Sequence, residues 1–111
     1  MTDYNVFPDY KTRKEIINGL CGKYKFIKHC FAGKSVCGRG IDVLHIGNTK
    51  NRVLYCGGFH GSEYLTVLAL LKFFEECCQA MQNDNPVGEY KIGNFLSIRG
   101  LTIVPCVNPD G

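Results

Sequence analysis

No stretch of the 111 residues reaches the roughly 20 consecutive apolar positions that a bilayer-crossing helix needs, so none is expected. The opening residues, Met1-Thr2-Asp3-Tyr4-Asn5, lack the basic region and apolar stretch of a secretory signal, which makes the cytoplasm the expected location. None of the seven cysteines (Cys21, Cys30, Cys37, Cys56, Cys77, Cys78, Cys106) is spaced Cys-x-x-Cys, which removes the main support for a thioredoxin-like redox site or a zinc ribbon. The glycine-bounded turn Gly33-Lys34-Ser35-Val36-Cys37-Gly38-Arg39 is short and does not end in the Gly-Lys-Ser/Thr of a phosphate-binding loop, so a nucleotide site is not expected. No repeat or low-complexity tract interrupts the chain.

What is present fits one globular unit. With 45% apolar and 21% charged residues, the chain has enough Ile, Leu, Val and Phe to build a packed core, and its length allows one domain at most. The net charge of +3 has one local concentration, Lys23, Lys25, Lys28 and Lys34, with Tyr24, Phe26 and Phe31 between them. Alternation of that kind reads as the solvated face of a half-buried strand rather than as a nucleic-acid surface. An odd number of cysteines cannot all pair within one chain. Cys56 in Leu54-Tyr55-Cys56 and Cys106 in Val104-Pro105-Cys106-Val107 sit where Cys acts as a small buried hydrophobe, so a reducing compartment is expected.

Periodicity predicts an amphipathic helix from Asp9 to Leu20, with Tyr10, Ile16, Ile17 and Leu20 near one face and Gly19 and Gly22 marking its end. Tyr24 to Phe31 and Ile41 to Ile46 alternate as strands, joined across the glycines between them as a hairpin. Val53-Leu54-Tyr55-Cys56 is apolar on both faces and closed by Gly57-Gly58, as a strand buried inside a sheet would be. Glu63 to Gln82 is the longest helical segment. Its stripe of Leu65, Leu68, Leu71, Phe74, Cys78 and Met81, widened by Val67 and Leu70, implies burial against the sheet. Asn83-Asp84-Asn85-Pro86 stops it, and Leu101 to Val107 reads as a second buried strand. A long helix between two buried strands makes a β-α-β unit, its strands parallel in one sheet.

The chemistry gathers after the first buried strand. Gly57-Gly58-Phe59-His60-Gly61-Ser62-Glu63-Tyr64 runs from a strand's C-terminal end into a helix, where open α/β sheets collect their ligands. His60 and Glu63 are three apart, so a turn or a first helical turn brings both to one side, where an imidazole nitrogen and a carboxylate oxygen could share a zinc ion. On spacing alone, His60 reads equally well as a capping or core residue. His29 and His45 fall inside strand patterns and read as ordinary residues. Asn108-Pro109-Asp110-Gly111 matches type I turn chemistry.

Taken in order, Gly33-Lys34-Ser35-Val36-x-Gly38-Arg39-x-Ile41, Gly58-Phe59-His60-Gly61-x-Glu63 and Val107-Asn108-Pro109-Asp110-Gly111 resemble the zinc metallocarboxypeptidase family, over about Lys25 to Gly111. The resemblance implies an α/β fold, the N-terminal portion of a mixed, mostly parallel sheet flanked by helices, with residues 1–111 the first segment of a single peptidase domain incomplete at its C-terminus. It implies Zn2+ as cofactor, His60 and Glu63 as its first two ligands, and a peptide substrate, with neither nucleic acid nor membrane as partner. A third ligand, the substrate-carboxylate residues and the general-base glutamate of that family have no counterpart in these residues, so the chain alone is expected to be inactive. Digestive members place an arginine before the zinc glutamate, whereas this chain has Ser62; in this it looks more like bacterial relatives that cut γ-D-glutamyl–diamino acid bonds in cell-wall peptides. The rival readings are an aspartoacylase-like zinc amidohydrolase, against which the Asn-Pro-Asp-Gly turn argues, and a non-catalytic fragment. Leu101 to Val107 is expected to lack a strand neighbour, and self-association through such an exposed edge is expected of the chain alone.

Overall fold

The computed structural model of the chain describes residues 2–7, 9–59, 64–83, 86–87, 90–91, 96 and 99–109. Helix α1 spans Tyr10–Lys23. The Asp9 carboxylate caps it by accepting the Thr12 N–H at 2.8 Å, which satisfies one of the amides a helix start leaves open. The helix runs a turn beyond the expected stop at Leu20, because Gly19 and Gly22 are tolerated in it and closure comes only where the Tyr24 N–H bonds the Leu20 carbonyl. Tyr24, expected to open a strand, is therefore the C-cap of the helix, and its buried ring belongs to the core. The strand β1 begins at Lys28 and ends at Lys34.

β1 pairs antiparallel with β2, Gly40–Ile46, as the expected hairpin. In the turn between them Gly38 has φ 79° and donates its N–H to the Ser35 carbonyl, while the Ser35 hydroxyl accepts the Arg39 N–H at 3.0 Å. β3 is Arg52–Cys56, α2 is Tyr64–Asn83, β4 (Pro86–Val87) and β5 (Tyr90–Lys91) form a small antiparallel pair, and β6 is Gly100–Val104. The main sheet has the order β1-β2-β6-β3, with β6 antiparallel to β2 and parallel to β3. The α/β architecture and the β3-α2-β6 crossover read from the sequence are thus present, in a mixed sheet. All seven residues of β1 are exposed, Lys28 and Lys34 among them.

Two expectations exchange places. Val53–Cys56, expected to be buried on both faces, lies in an edge strand: Leu54 is 59% and Tyr55 47% exposed, and Cys56 is exposed rather than a small buried hydrophobe. The apolar run of β6, expected to want a neighbour, instead occupies the sheet's centre, with β2 on one edge and β3 on the other. Hydrophobicity marks both strands as ones that need covering, but which of them finds partners within the chain depends on topology. The apolar edge left open among the described strands is that of β3.

One core cluster joins Ile16, Ile17 and Leu20 of α1, Leu71, Phe74 and Cys78 of α2, and Leu44, Ile46, Leu101 and Ile103 of the sheet. Each large side chain buried there contributes about 2–3 kcal/mol relative to exposure. Of the stripe expected on α2, Leu71, Phe74 and Cys78 are buried but Leu65 is 67% exposed. The buried Glu75, 1% exposed, is matched: it accepts from the Tyr4 hydroxyl at 2.8 Å and from the Thr2 hydroxyl at 3.1 Å and lies 3.6 Å from Lys23 Nζ. The N-terminal residues are thereby tied to α2.

Cys77 and Cys78 are buried, and burial is the first cause pushing both thiols up, Cys77 to about 11 from its ordinary 9.0. An unfolded chain releases the Cys77 proton near 9.0 while the folded chain keeps it, so the unfolded state binds fewer protons in this window. Stability is therefore expected to be unaffected by Cys77 below pH 9.0 and to fall as pH rises to about 11, by up to roughly 2–3 kcal/mol. Urea unfolding followed at pH 8 and pH 10.5 checks this, and Cys77→Ala should flatten the slope.

Candidate functional site

Because β3 and β6 are parallel, their C-terminal ends emerge side by side, and the segments that follow them are laced together by main-chain bonds. Gly57 donates to Val104 O at 3.1 Å, Val107 donates to Gly57 O at 2.9 Å, and Asn108 donates to Gly58 O at 3.0 Å. The Asn108 side-chain amide adds a bond to the Phe59 carbonyl at 3.3 Å. On the other side the Gly58 N–H is taken by the Thr66 hydroxyl, in the first turns of α2, at 3.1 Å. Gly58 has φ 65°, and a Cβ there would stand 3.0 Å from Cys106 and from Val67, so glycine is required both for the left-handed turn and for the close approach.

His60 and Glu63, the candidate metal ligands, lie outside the described residues, as do Ser62 and the Asp110-Gly111 end of the predicted turn. Their chain neighbours are placed: Phe59 on the laced strap and Tyr64 at the start of α2. Imidazole nitrogen and carboxylate oxygen are a donor set that suits zinc, and a loop joining a strand end to a helix start can present both. The other histidines are engaged elsewhere. His29 Nε2 lies 2.8 Å from the buried Asp42 carboxylate, which also binds Lys14 at 2.7 Å. His45 is buried, with Nδ1 2.7 Å from the Thr102 hydroxyl and Nε2 3.1 Å from the Gly47 carbonyl. Among the described residues no group of three His, Cys, Asp or Glu side chains could hold a metal.

Besides the bonds between the second motif and the third, the structure joins the first motif to the third. Arg39, at the end of the β1–β2 turn, reaches across 70 positions to donate from Nη1 to the Pro109 carbonyl at 3.4 Å. That bond is long, but the guanidinium is held over the Tyr10 ring at 5.2 Å, within the range of a cation–π contact. Helix α1, the hairpin turn and the strap after β6 are thus joined at one side chain. Spacing gives no hint of this contact or of the parts played by Thr66 and Asn108, since each bond spans elements that only the fold brings together. Arg39→Ala should cost about 1 kcal/mol locally, read as roughly fivefold faster amide exchange at Val107 and Asn108 with α1 still formed.

A family model described as zinc carboxypeptidase matches residues 14–111. The chain is 30% identical over 103 residues to gamma-D-glutamyl-L-diamino acid endopeptidase 1 of Lysinibacillus sphaericus, a match covering 93% of this chain and 26% of that protein. Among solved structures, carboxypeptidase A from Helicoverpa armigera superposes with a TM-score of 0.77 at 22% identity, covering 98% of this chain and 26% of that one. Bovine thrombin-activatable fibrinolysis inhibitor in complex with tick carboxypeptidase inhibitor gives 0.77 at 18% identity, covering 96% and 33%. At those identities the two structures show a shared fold. The chain spans between a quarter and a third of the proteins it matches.

Proposed function

The chain belongs to the zinc carboxypeptidase family, whose model matches residues 14–111, and from that we propose that it forms part of a zinc-dependent peptidase in which His60 and Glu63 are two of the metal ligands. The observation that carries this reading is the laced strap at the parallel ends of β3 and β6, which holds Gly58 and Phe59 immediately before His60. A metal site needs its donors presented with little freedom, and here the backbone leading into them is bonded on both sides.

In this reading residues 1–111 are the first segment of a single peptidase domain, and the third ligand and the general base come from residues beyond this set. When bound, zinc polarises the scissile carbonyl and makes its water acidic enough to attack near neutral pH. The part of this chain is to hold: His60 offers a neutral nitrogen and Glu63 a carboxylate, and the strap ties the Gly58 backbone that leads toward them to the first turns of α2. Two protein ligands leave an ion weakly held, since sites of this type use three and a water. The 111-residue chain alone is therefore expected to hold zinc weakly and not to hydrolyse peptides.

The proposed substrate class is a peptide or isopeptide bond in cell-wall-derived peptides. Support comes from the endopeptidase relative at 30% identity, named for γ-D-glutamyl–L-diamino acid bonds, and from Ser62, which puts a short neutral side chain beside Glu63. The reading is tested by His60→Ala, which should remove most of the zinc bound per chain at neutral pH, whereas His45→Ala, which alters only an imidazole bound to Thr102 and Gly47, should leave zinc content unchanged. Equal zinc in wild type and His60→Ala would rule the assignment out.

The open edge of β3, with Leu54 and Tyr55 exposed, further supports self-association of the chain when it is made alone. Sedimentation should show oligomers for the wild-type chain and a shift toward monomer for Leu54→Lys, whose charge opposes edge-to-edge pairing.

A further inference from the structure

We infer that Thr66 is a positioning residue for the metal-binding loop: its hydroxyl closes the chain from Gly58 to Thr66 into a ring that contains both His60 and Glu63. This rests on the reading of His60 and Glu63 as ligands and adds to it the element that holds them together.

The geometry is local and specific. Thr66 sits in the first turns of α2, three residues after Glu63, and its Oγ1 accepts the Gly58 N–H at 3.1 Å, eight positions back along the chain. Gly58 is buried, so without this acceptor its N–H would be stranded away from water. The same residue has its carbonyl taken by the Asn108 N–H at 3.0 Å, so its main chain is held from the helix on one side and from the strap after β6 on the other. Thr66 also limits the approach from below: a Cβ on Gly57 would lie 3.2 Å from Thr66 Oγ1 and 2.8 Å from Leu70 Cδ1. The helix start and the strand end are therefore in contact, with one hydrogen bond across the gap that the loop must span.

The consequence is entropic. Metal ions bind tightly when their donors are gathered before the ion arrives, and closing a short loop in advance removes the cost of gathering them. A hydroxyl one shell behind the ligands, acting on the backbone rather than on the ion, does for this loop what outer hydrogen bonds do for other metal sites, where their loss lowers affinity about 10–100-fold.

The test compares the wild-type chain with Thr66→Val, which keeps the shape and removes the acceptor, and Thr66→Ser, which keeps the acceptor. Zinc affinity is read by competition with a chromophoric chelator, and hydrogen exchange of the Gly58 amide is read in the metal-free chain. Positioning predicts a protected Gly58 amide in the wild type, loss of that protection with about tenfold weaker zinc binding in Thr66→Val, and recovery of both in Thr66→Ser. His60→Ala should abolish zinc binding while leaving Gly58 protected, which separates failure of the ligand assignment from failure of the clamp. The inference is overturned if the wild-type Gly58 amide exchanges as fast as an exposed loop amide, a result that needs no folded variant. It is equally overturned if Thr66→Val loses the protection yet binds zinc like the wild type.

Discussion

β6 is hydrogen-bonded along both edges, antiparallel to β2 and parallel to β3, and this double pairing constrains where everything else in the chain can go. It sets the crossover: a parallel neighbour cannot be reached by a tight turn, so α2 and the small β4–β5 pair have to carry the chain back over the sheet. It also delivers the hairpin β1–β2 to the other edge, where β1 is exposed along its whole length. Buried at Leu101, Thr102 and Ile103, β6 shares with Leu44 and Ile46 of β2 the sheet's part of the core that α1 and α2 join. A polar side chain at Leu101 or Ile103 would be buried in that core at the cost of its hydration.

The same pairing makes the site. Two parallel strands end at the same border of the sheet, so residues 57–59 and 105–109 meet although about fifty positions separate them. They are joined mainly by backbone groups, with the Asn108 side chain adding a bond between them, while Thr66 ties Gly58 to α2 and Arg39 ties Pro109 to the β1–β2 turn. Backbone bonds of this kind tolerate most side-chain changes but not a change of backbone geometry, which is why Gly58 carries the constraint: its φ is 65° and a Cβ there would stand 3.0 Å from the Cys106 backbone.

Three buried polar side chains elsewhere in the molecule are matched. Glu75, Asp42 and His45 are each 5% exposed or less, and each is met by partners: Thr2 and Tyr4 for Glu75, Lys14 and His29 for Asp42, and Thr102 with the nearby Gly47 carbonyl for His45. An unmatched charge in those positions would cost several kcal/mol, so the partners are obligatory. None of the three is singled out by local sequence pattern; Glu75 lies within the apolar run of α2. Its burial is decided by the N-terminal residues folding over it.

How much was legible before the fold follows from the range of each interaction. The helix start at Asp9, the hairpin turn at Ser35–Gly38 and the β-α-β order depend on neighbours a few residues away, so capping, glycine placement and periodicity suffice to read them. The resemblance carried by Gly58-Phe59-His60-Gly61-x-Glu63 likewise depends on a short run of residue types, and the family match bears it out. What local pattern could not decide was partnership. Val53–Cys56 and Leu101–Val107 are similar apolar runs, and only the tertiary arrangement puts β6 at the centre and β3 at the edge. In the same way the sequence by itself places Arg39 and Asn108 in short motifs and leaves Thr66 an ordinary helix residue, without saying what any of them binds. Their bonds form across gaps of 8, 49 and 70 positions, and a hydrogen bond is short-ranged in space whatever its distance along the chain, so only the folded chain could assign them.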